Sequence, residues 1–241
     1  MKFDPVTFTL HDGRECALRS AEPEDAAALV GYVNQVFGES PYLSRGAGEW
    51  TQTVEKELAW IESKLADPRS VLLLAFVDGV IAGDFDLHPI GGALRLAHRA
   101  GIGVSVRRDY WRQGIANRML QTLLDCARAC GYEQVELEVV ADNFRAVPLY
   151  LKHGFQVYGT RPHALRYPDG SYASEYLMYK SCKIGFSSFV LLCAFFSFWR
   201  RRFALAQPMK VFSLRRSWAA LAARMRRAIR LCGRYRRMQC Q

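Results

Sequence analysis

Residues 101 to 120, GIGVSVRRDYWRQGIANRML, constrain this chain more than any other stretch. Ile102, Val104 and Val106 alternate with small or polar residues, the period of a strand buried on one face. The strand runs into a charged turn from Arg107 to Asp109, then into Trp111, Arg112, Gln113, Gly114, Ile115 and Ala116. From Ile115 the apolar residues recur at Met119, Leu120, Leu123, Leu124 and Ala127, the spacing of an amphipathic helix. A helix starting there has its first amides unpaired, and those amides with the helix dipole favour an anion. Gly114 lets backbone approach a phosphate closely, and Ala116 keeps the next turn small. The same pattern also describes an ordinary strand-to-helix connection, so alone it leaves both readings open.

A second segment, ELEVVADNFRAVPLYLKHGF at residues 136 to 155, narrows the choice. It reads as a strand, Asn143, a helix bearing Arg145, Ala146, Leu149 and Tyr150, then Gly154 and Phe155. The two segments, in this order, resemble the GNAT superfamily of acetyl-CoA-dependent N-acetyltransferases over roughly residues 7 to 180. The phosphate loop of that family has the form Q/R-x-x-G-x-G/A, and its later signature is N-x-x-A-x-x-x-Y-x-x-x-G-F. Gly114 and Ala116 match the first; Asn143, Ala146, Tyr150, Gly154 and Phe155 match the second. Trp111 departs, standing where Gln or Arg is commonest, which leaves Arg112 or Gln113 to supply the polar contact.

The resemblance implies an α/β fold: a central mixed, mostly antiparallel twisted sheet of about seven strands with helices on both faces. It implies acetyl-CoA as co-substrate, without a metal, wedged between two central strands that splay apart. Backbone amides of Val104, Ser105 and Val106 then pair with the pantetheine arm like an added strand, and one polarises the thioester carbonyl. Trp111, Arg112, Gln113, Gly114, Ile115 and Ala116 hold the pyrophosphate, Asn143 fixes the arm, and Tyr150 points at the sulfur. Glu138 lies five residues before Asn143, where some members place the carboxylate that takes the amine proton. Its other reading is structural, because Glu136 and Glu138 share one strand face and both can be solvated or ion-paired. His88 could enter the acceptor pocket from its strand, though the sequence places it more simply on the surface or in the core.

Direct attack in a ternary complex needs a neutral amine. A lysine amine, with a pKa of about 10.4, is neutral in roughly one molecule in 2,500 at pH 7, a deficit of about 4.6 kcal/mol. An α-amine near 7.7 to 8.0 loses only about 1.0 to 1.4 kcal/mol. That favours a small-molecule primary amine such as an amino acid, with a protein N-terminus as the alternative acceptor. A non-catalytic acyl-CoA-binding module is the alternative of another class, and a homodimer stays open.

Taken in order, Phe8, Leu10, Cys16 and Leu18 read as two short strands around Asp12-Gly13. Pro23 opens a helix whose buried face is Ala26, Leu29, Val30, Val33 and Phe37, stopping at Gly38. Glu39 to Gln52 reads as a loop, either a surface connection or a cover for the acceptor pocket. A helix over Val54 to Ala66 turns Leu58, Ile61 and Leu65 inward and Glu55, Lys56 and Glu57 outward. Ser70 to Val77 is a strand buried on both faces, turning at Asp78-Gly79 into Val80 to His88. The next strand is expected to begin near Leu94. After Gly131, Val135, Leu137 and Val139 mark another strand, and the chain closes on a hairpin from Phe155 to Tyr179 around Pro168-Asp169-Gly170. The order β-β-α-α-β-β-β-α-β-α-β-β gives a mixed sheet with helices on both faces.

Composition divides the chain. Residues 183 to 241 hold 14 of the 33 Lys and Arg and none of the 23 acids, so residues 1 to 182 carry 19 bases against 23 acids, a net of −4. The overall +10 therefore belongs to the tail. We divide the sequence accordingly into an acetyltransferase domain, 1–182, and an extension, 183–241. Within the extension, Ile184 to Trp199 is sixteen residues, apolar but for a glycine and three serines, short of the about 20 that a spanning helix requires. Trp218, Leu221, Met225 and Ile229 interleave with arginines, the mark of a helix lying on an anionic membrane surface, so residues 184 to 231 form the candidate membrane contact. A nucleic-acid arm is the weaker reading of the same charge, and an unstructured segment without a selected role is the plain one. Seven cysteines without metal spacing, and no leader at the first residues, fit a reducing cytoplasmic compartment.

Overall fold

The computed structural model describes residues 2–182. The extension, 183–241, with its candidate membrane contact over residues 184 to 231, lies outside the described residues. Eight strands form one sheet in the order β1-β2-β3-β4-β5-β6-β8-β7. The elements are β1 (Val6–Thr9), β2 (Glu15–Ser20), α1 (Ala26–Glu39), α2 (Val54–Ala66), β3 (Val71–Val77), β4 (Val80–Pro89), β5 (Arg99–Val106), α3 (Ile115–Ala129), β6 (Gln134–Val140), α4 (Ala146–Lys152), β7 (Gln156–Arg166) and β8 (Tyr172–Ser181). This is the element order that the periodicity gives, with eight strands where about seven were expected. Every neighbouring pair is antiparallel except β5 and β6.

Helices cover both faces. The apolar stripe of α3, Ile115, Met119, Leu120, Leu123, Leu124 and Ala127, packs with Tyr150 and Phe155 from the α4 segment onto Leu73, Ala75, Phe85 and Leu87. On the opposite face, Leu29, Tyr32 and Val36 of α1 and Ile61 of α2 pack onto Leu72, Leu74 and Ile81. Because side chains alternate along a strand, Phe85 and Leu87 of β4 face α3, while Asp84, Asp86 and His88 face α1 and α2.

Three local expectations are corrected. Tyr32 and Val36 join Ala26 and Leu29 as the fully buried residues of α1, and Val30, Val33 and Phe37 are only half-buried. Glu57 is buried at 2% exposure, not outward: it lies one turn before Ile61 on the stripe that α2 turns to the sheet. Residues Leu94–Leu96 form a 3₁₀ turn, not the start of a strand. The β4–β5 ladder begins at Pro89 opposite Ala100, so earlier residues have no strand to pair with, and Leu94 is 93% exposed.

Candidate active site

Strands β5 and β6 run side by side only at Arg99–Gln134, Ala100–Val135 and Gly101–Glu136, and beyond that point they part. The open edge of β5 follows from its alternation. The Arg107 amide donates to the Ala82 carbonyl (3.0 Å), and the Ile90 amide to the Arg99 carbonyl (3.2 Å). Odd-numbered residues of β5 therefore bond towards β4, and the amides of Ile102, Val104 and Val106 point into the gap that β6 leaves. Ser105 bonds towards β4, and its hydroxyl meets the Tyr32 hydroxyl at 2.8 Å on the α1 face. Of the three adjacent amides expected to meet the pantetheine arm, the structure thus turns Val104 and Val106 to the gap and Ser105 away.

The gap leads to the loop before α3. Six consecutive backbone amides, Arg112 to Asn117, make no hydrogen bond among the described residues, while the Gly114 carbonyl accepts the first helical bond from Arg118 at 3.1 Å. Gly114 has φ +91°, a conformation open to glycine, and a Cβ there would lie 3.3 Å from Nε2 of His11. Arg112 also has positive φ, +64°. The β1–β2 turn fixes the loop from outside: His11 Nδ1 lies 2.7 Å from the Arg112 carbonyl, and the Asp12 amide donates to Gln113 Oε1 at 3.1 Å. The Gln113 carboxamide oxygen is thus spent on Asp12, leaving its backbone amide for a ligand. Trp111 donates its indole N–H to the Val106 carbonyl at 2.7 Å, tying the strand end to the loop. Arg145 stacks 3.9 Å above the Trp111 ring and places a cation beside the amides. At position 111, where the sequence departs from the family pattern, the ring thus carries an arginine from the second motif.

Asn143 accepts the Ala146 amide on Oδ1 at 3.1 Å, capping the start of α4. Tyr150 is 7% exposed and meets Phe155 edge-on at 5.7 Å between ring centres. Burial pushes its phenol up to about 12. It belongs to the core on the α3 side, with Val104 and Val106 packed around that core. The Val104 and Val106 edge and the Arg112–Asn117 amides fit a thioester carried on a diphosphate arm, and Tyr150 belongs to the core on the face of the sheet that Val104 and Val106 join.

The α1/α2 face of the gap has a different chemistry. Glu136 is paired with Arg99 at 2.5 and 2.6 Å. Glu138, the expected base, is clasped by both Arg161 amino groups at 2.7 and 2.8 Å. That hydrogen bonding lowers the Glu138 pKa. Arg161 also reaches Glu175 at 3.0 Å. On β4, Asp86 accepts from Lys64 of α2 at 2.5 Å and lies 2.7 Å from His88 Nδ1. Asp84 is pushed up to about 7, by burial first and then by Asp86 and Glu57. Asp84 Oδ1 and Glu57 Oε2 are buried without a hydrogen-bond partner among the described residues. The Tyr167 hydroxyl donates to the Pro41 carbonyl at 3.0 Å, joining the terminal hairpin to the loop of residues 40 to 52. The sequence signals that point to this face are the alternate acids and histidine of Asp84-x-Asp86-x-His88. They are visible as a polar stripe only once the strand is known to be covered.

No group of three metal-ligating side chains occurs among the described residues. Cys16, Cys126, Cys130 and Cys182 are buried, and burial raises each thiol, Cys126 to about 12, so they are packing residues. No helix among the described residues is long and apolar enough to cross a membrane.

A parted strand pair leads to a bare helix start, and comparison with known proteins gives the family. The family model described as the acetyltransferase (GNAT) family matches residues 30–155, and the chain belongs to that family. It is 30% identical over 120 residues to the L-amino acid N-acetyltransferase AaaT of Escherichia coli (strain K12), covering 48% of this chain and 72% of that protein. Among solved structures, an acetyltransferase of the GNAT family from Streptococcus pneumoniae shares 29% identity with a TM-score of 0.67, covering 69% of this chain and 99% of that one. The fold also matches yncA from Salmonella typhimurium, a putative acetyltransferase solved with its cofactor acetyl-CoA, at 20% identity and a TM-score of 0.63, over 70% and 94% of the two chains.

Proposed function

We propose that this acetyltransferase moves the acetyl group of acetyl-CoA to the primary amine of a small molecule, an amino acid or similar compound, by direct attack in a ternary complex. The observation that carries the reading is the β5–β6 gap, open from Gly101 onward and ending at the six amides of Arg112 to Asn117, which make no hydrogen bond among the described residues. The similarity to an amino-acid acetyltransferase supports the acceptor class. We assign the reaction to residues 1–182.

Acetyl-CoA supplies the activated acyl group. The chain supplies placement: the helix-start amides of α3 and Arg145 hold the diphosphate, and the Val104 and Val106 amides hold the arm, one of them polarising the carbonyl. Tyr150 hydrogen-bonds the leaving sulfur. With its phenol at about 12 against a thiol near 8.5, full proton donation is uphill by about 5 kcal/mol, so hydrogen bonding is its larger contribution. The hairpin and the loop of residues 40 to 52 close over the acceptor.

The test is release of free CoA thiol with a panel of amino acids, peptides and aminoglycosides. Amino acids or related small amines are expected to accelerate release over the acceptor-free rate. Acceleration by peptides alone favours the protein N-terminus as acceptor. No acceleration by any amine, with acetyl-CoA still bound, points to a binding module without turnover.

A further inference from the structure

Glu138 is paired with Arg161, and the register of the central strands brings a second candidate base to the gap. His88 of β4 lies opposite Gly101 of β5, and Gly101 lies opposite Glu136 of β6. Gly101 is also the last residue of β5 paired to β6 before the strands part. It has no side chain, and the imidazole fills the space: a Cβ built on Gly101 would lie 2.5 Å from His88 Nε2. The ring therefore leans across β5, over the point where the gap opens, on the α1/α2 face.

Its protonation pattern is set by its neighbour. The Asp86 carboxylate lies 2.7 Å from Nδ1, so Nδ1 carries the hydrogen and donates it. Nε2 is left with a lone pair over Gly101, the residue at which β5 and β6 part. Asp86 is itself held by Lys64 at 2.5 Å, so the ring is oriented by a fixed group. The side chain of His88 is 43% exposed and that of Asp86 16%, as suits a base that must meet an acceptor and an orienting residue that need not. The charged groups around it are Asp84 and Asp86 on its own strand, Lys64 from α2, and the Glu136–Arg99 pair across Gly101. Tyr150 stands on the other face of the sheet, so proton acceptor and sulfur partner approach the gap from opposite sides.

Resting on the acetyl-transfer reading above, we infer that His88 is the general base for the acceptor amine, with Asp86 as its positioning residue. His88 Nε2 takes one proton from the bound ammonium, and the freed lone pair forms the C–N bond at the thioester carbonyl. The C–S bond then breaks with its electron pair on sulfur. The nitrogen gives up two protons in all: one reaches solvent through His88, and the other ends on the CoA sulfur. Asp86 keeps its charge throughout.

The test is the pH profile of kcat/KM for the best amine of the panel, with the full chain and the variants His88→Gln and Asp86→Asn, alongside acetyl-CoA affinity by calorimetry. His88→Gln is expected to lower kcat/KM about 100-fold near pH 7. The deficit should shrink as pH rises and the amine loses its proton unaided, with acetyl-CoA affinity within twofold of the parent. Asp86→Asn should move the acidic limb of the profile, which a purely structural role would not. For His88→Ala, added imidazole should restore part of the rate. An unchanged rate and limb in His88→Gln, or loss of the limb in Glu138→Gln instead, overturns the inference. Absence of transfer by the unmodified chain counts against the proposed function and His88 together; transfer with an unaffected His88→Gln counts against His88 alone.

Discussion

On the α3/α4 side of the sheet lies an apolar core that includes Ile115, Met119 and Phe155, and the gap between β5 and β6 offers backbone amides. The α1/α2 face of β4 and β6 carries Asp84, Asp86, His88, Glu136 and Glu138 and offers titratable side chains. The first side can bind a ligand whose identity hardly depends on side chains, because amides and a helix dipole are common to every sequence that folds this way. The second side must choose an acceptor and move its proton, so its chemistry varies with the residues. The two sides therefore fail differently when perturbed.

The largest expected effect is on the amide side. Gly114→Val forces a β-branched residue to φ +91° and against His11. Acetyl-CoA affinity should fall about 100-fold, or about 2.7 kcal/mol, by calorimetry, while thermal unfolding stays cooperative. Retained affinity would show that the loop does not need its left-handed residue. Next comes Tyr150→Phe, expected to lower kcat about 30-fold with acetyl-CoA affinity within twofold. A loss beyond about 10³ would make Tyr150 a full proton donor rather than a sulfur hydrogen-bond donor, and would sharpen the division between the two sides.

The smallest effect is on stability and belongs to the acidic side. The Asp84 carboxyl is raised to about 7 in the fold, against about 3.9 unfolded. A raised carboxyl contributes stability fully below the unfolded value and loses it as pH climbs through about 7. Asp84→Asn should match the parent near pH 4 and exceed it by about 2 kcal/mol at pH 8 in urea unfolding, about half the full shift because the side chain keeps some solvent contact. Parallel pH dependences in the two proteins would mean that Asp84 carries no uncompensated charge.

The same contrast explains what the sequence could reveal. The phosphate loop and the Asn143–Phe155 signature are legible because they are backbone requirements: a glycine for positive φ, small residues for close approach, and helical periodicity after them. The order of elements along the chain is legible from periodicity in the same way. The acceptor side was not, since it depends on partners distant in sequence. Arg161 lies 23 residues from Glu138, and only the pairing of β6, β8 and β7 brings them together. Glu57 reads as a surface residue beside Glu55 and Lys56 until α2 is laid on the sheet. His88 could be read from its strand as open to the acceptor pocket, but its position over Gly101 is a matter of register.

The account stands on the diphosphate being gripped by the amides of Arg112 to Asn117. Calorimetry of the full chain with acetyl-CoA and with S-acetylpantetheine, which has the same thioester and arm but no diphosphate, measures that grip alone. The account predicts micromolar binding of acetyl-CoA and binding of S-acetylpantetheine weaker by 100-fold or more, about 2.7 kcal/mol. Equal affinities for the two would contradict it.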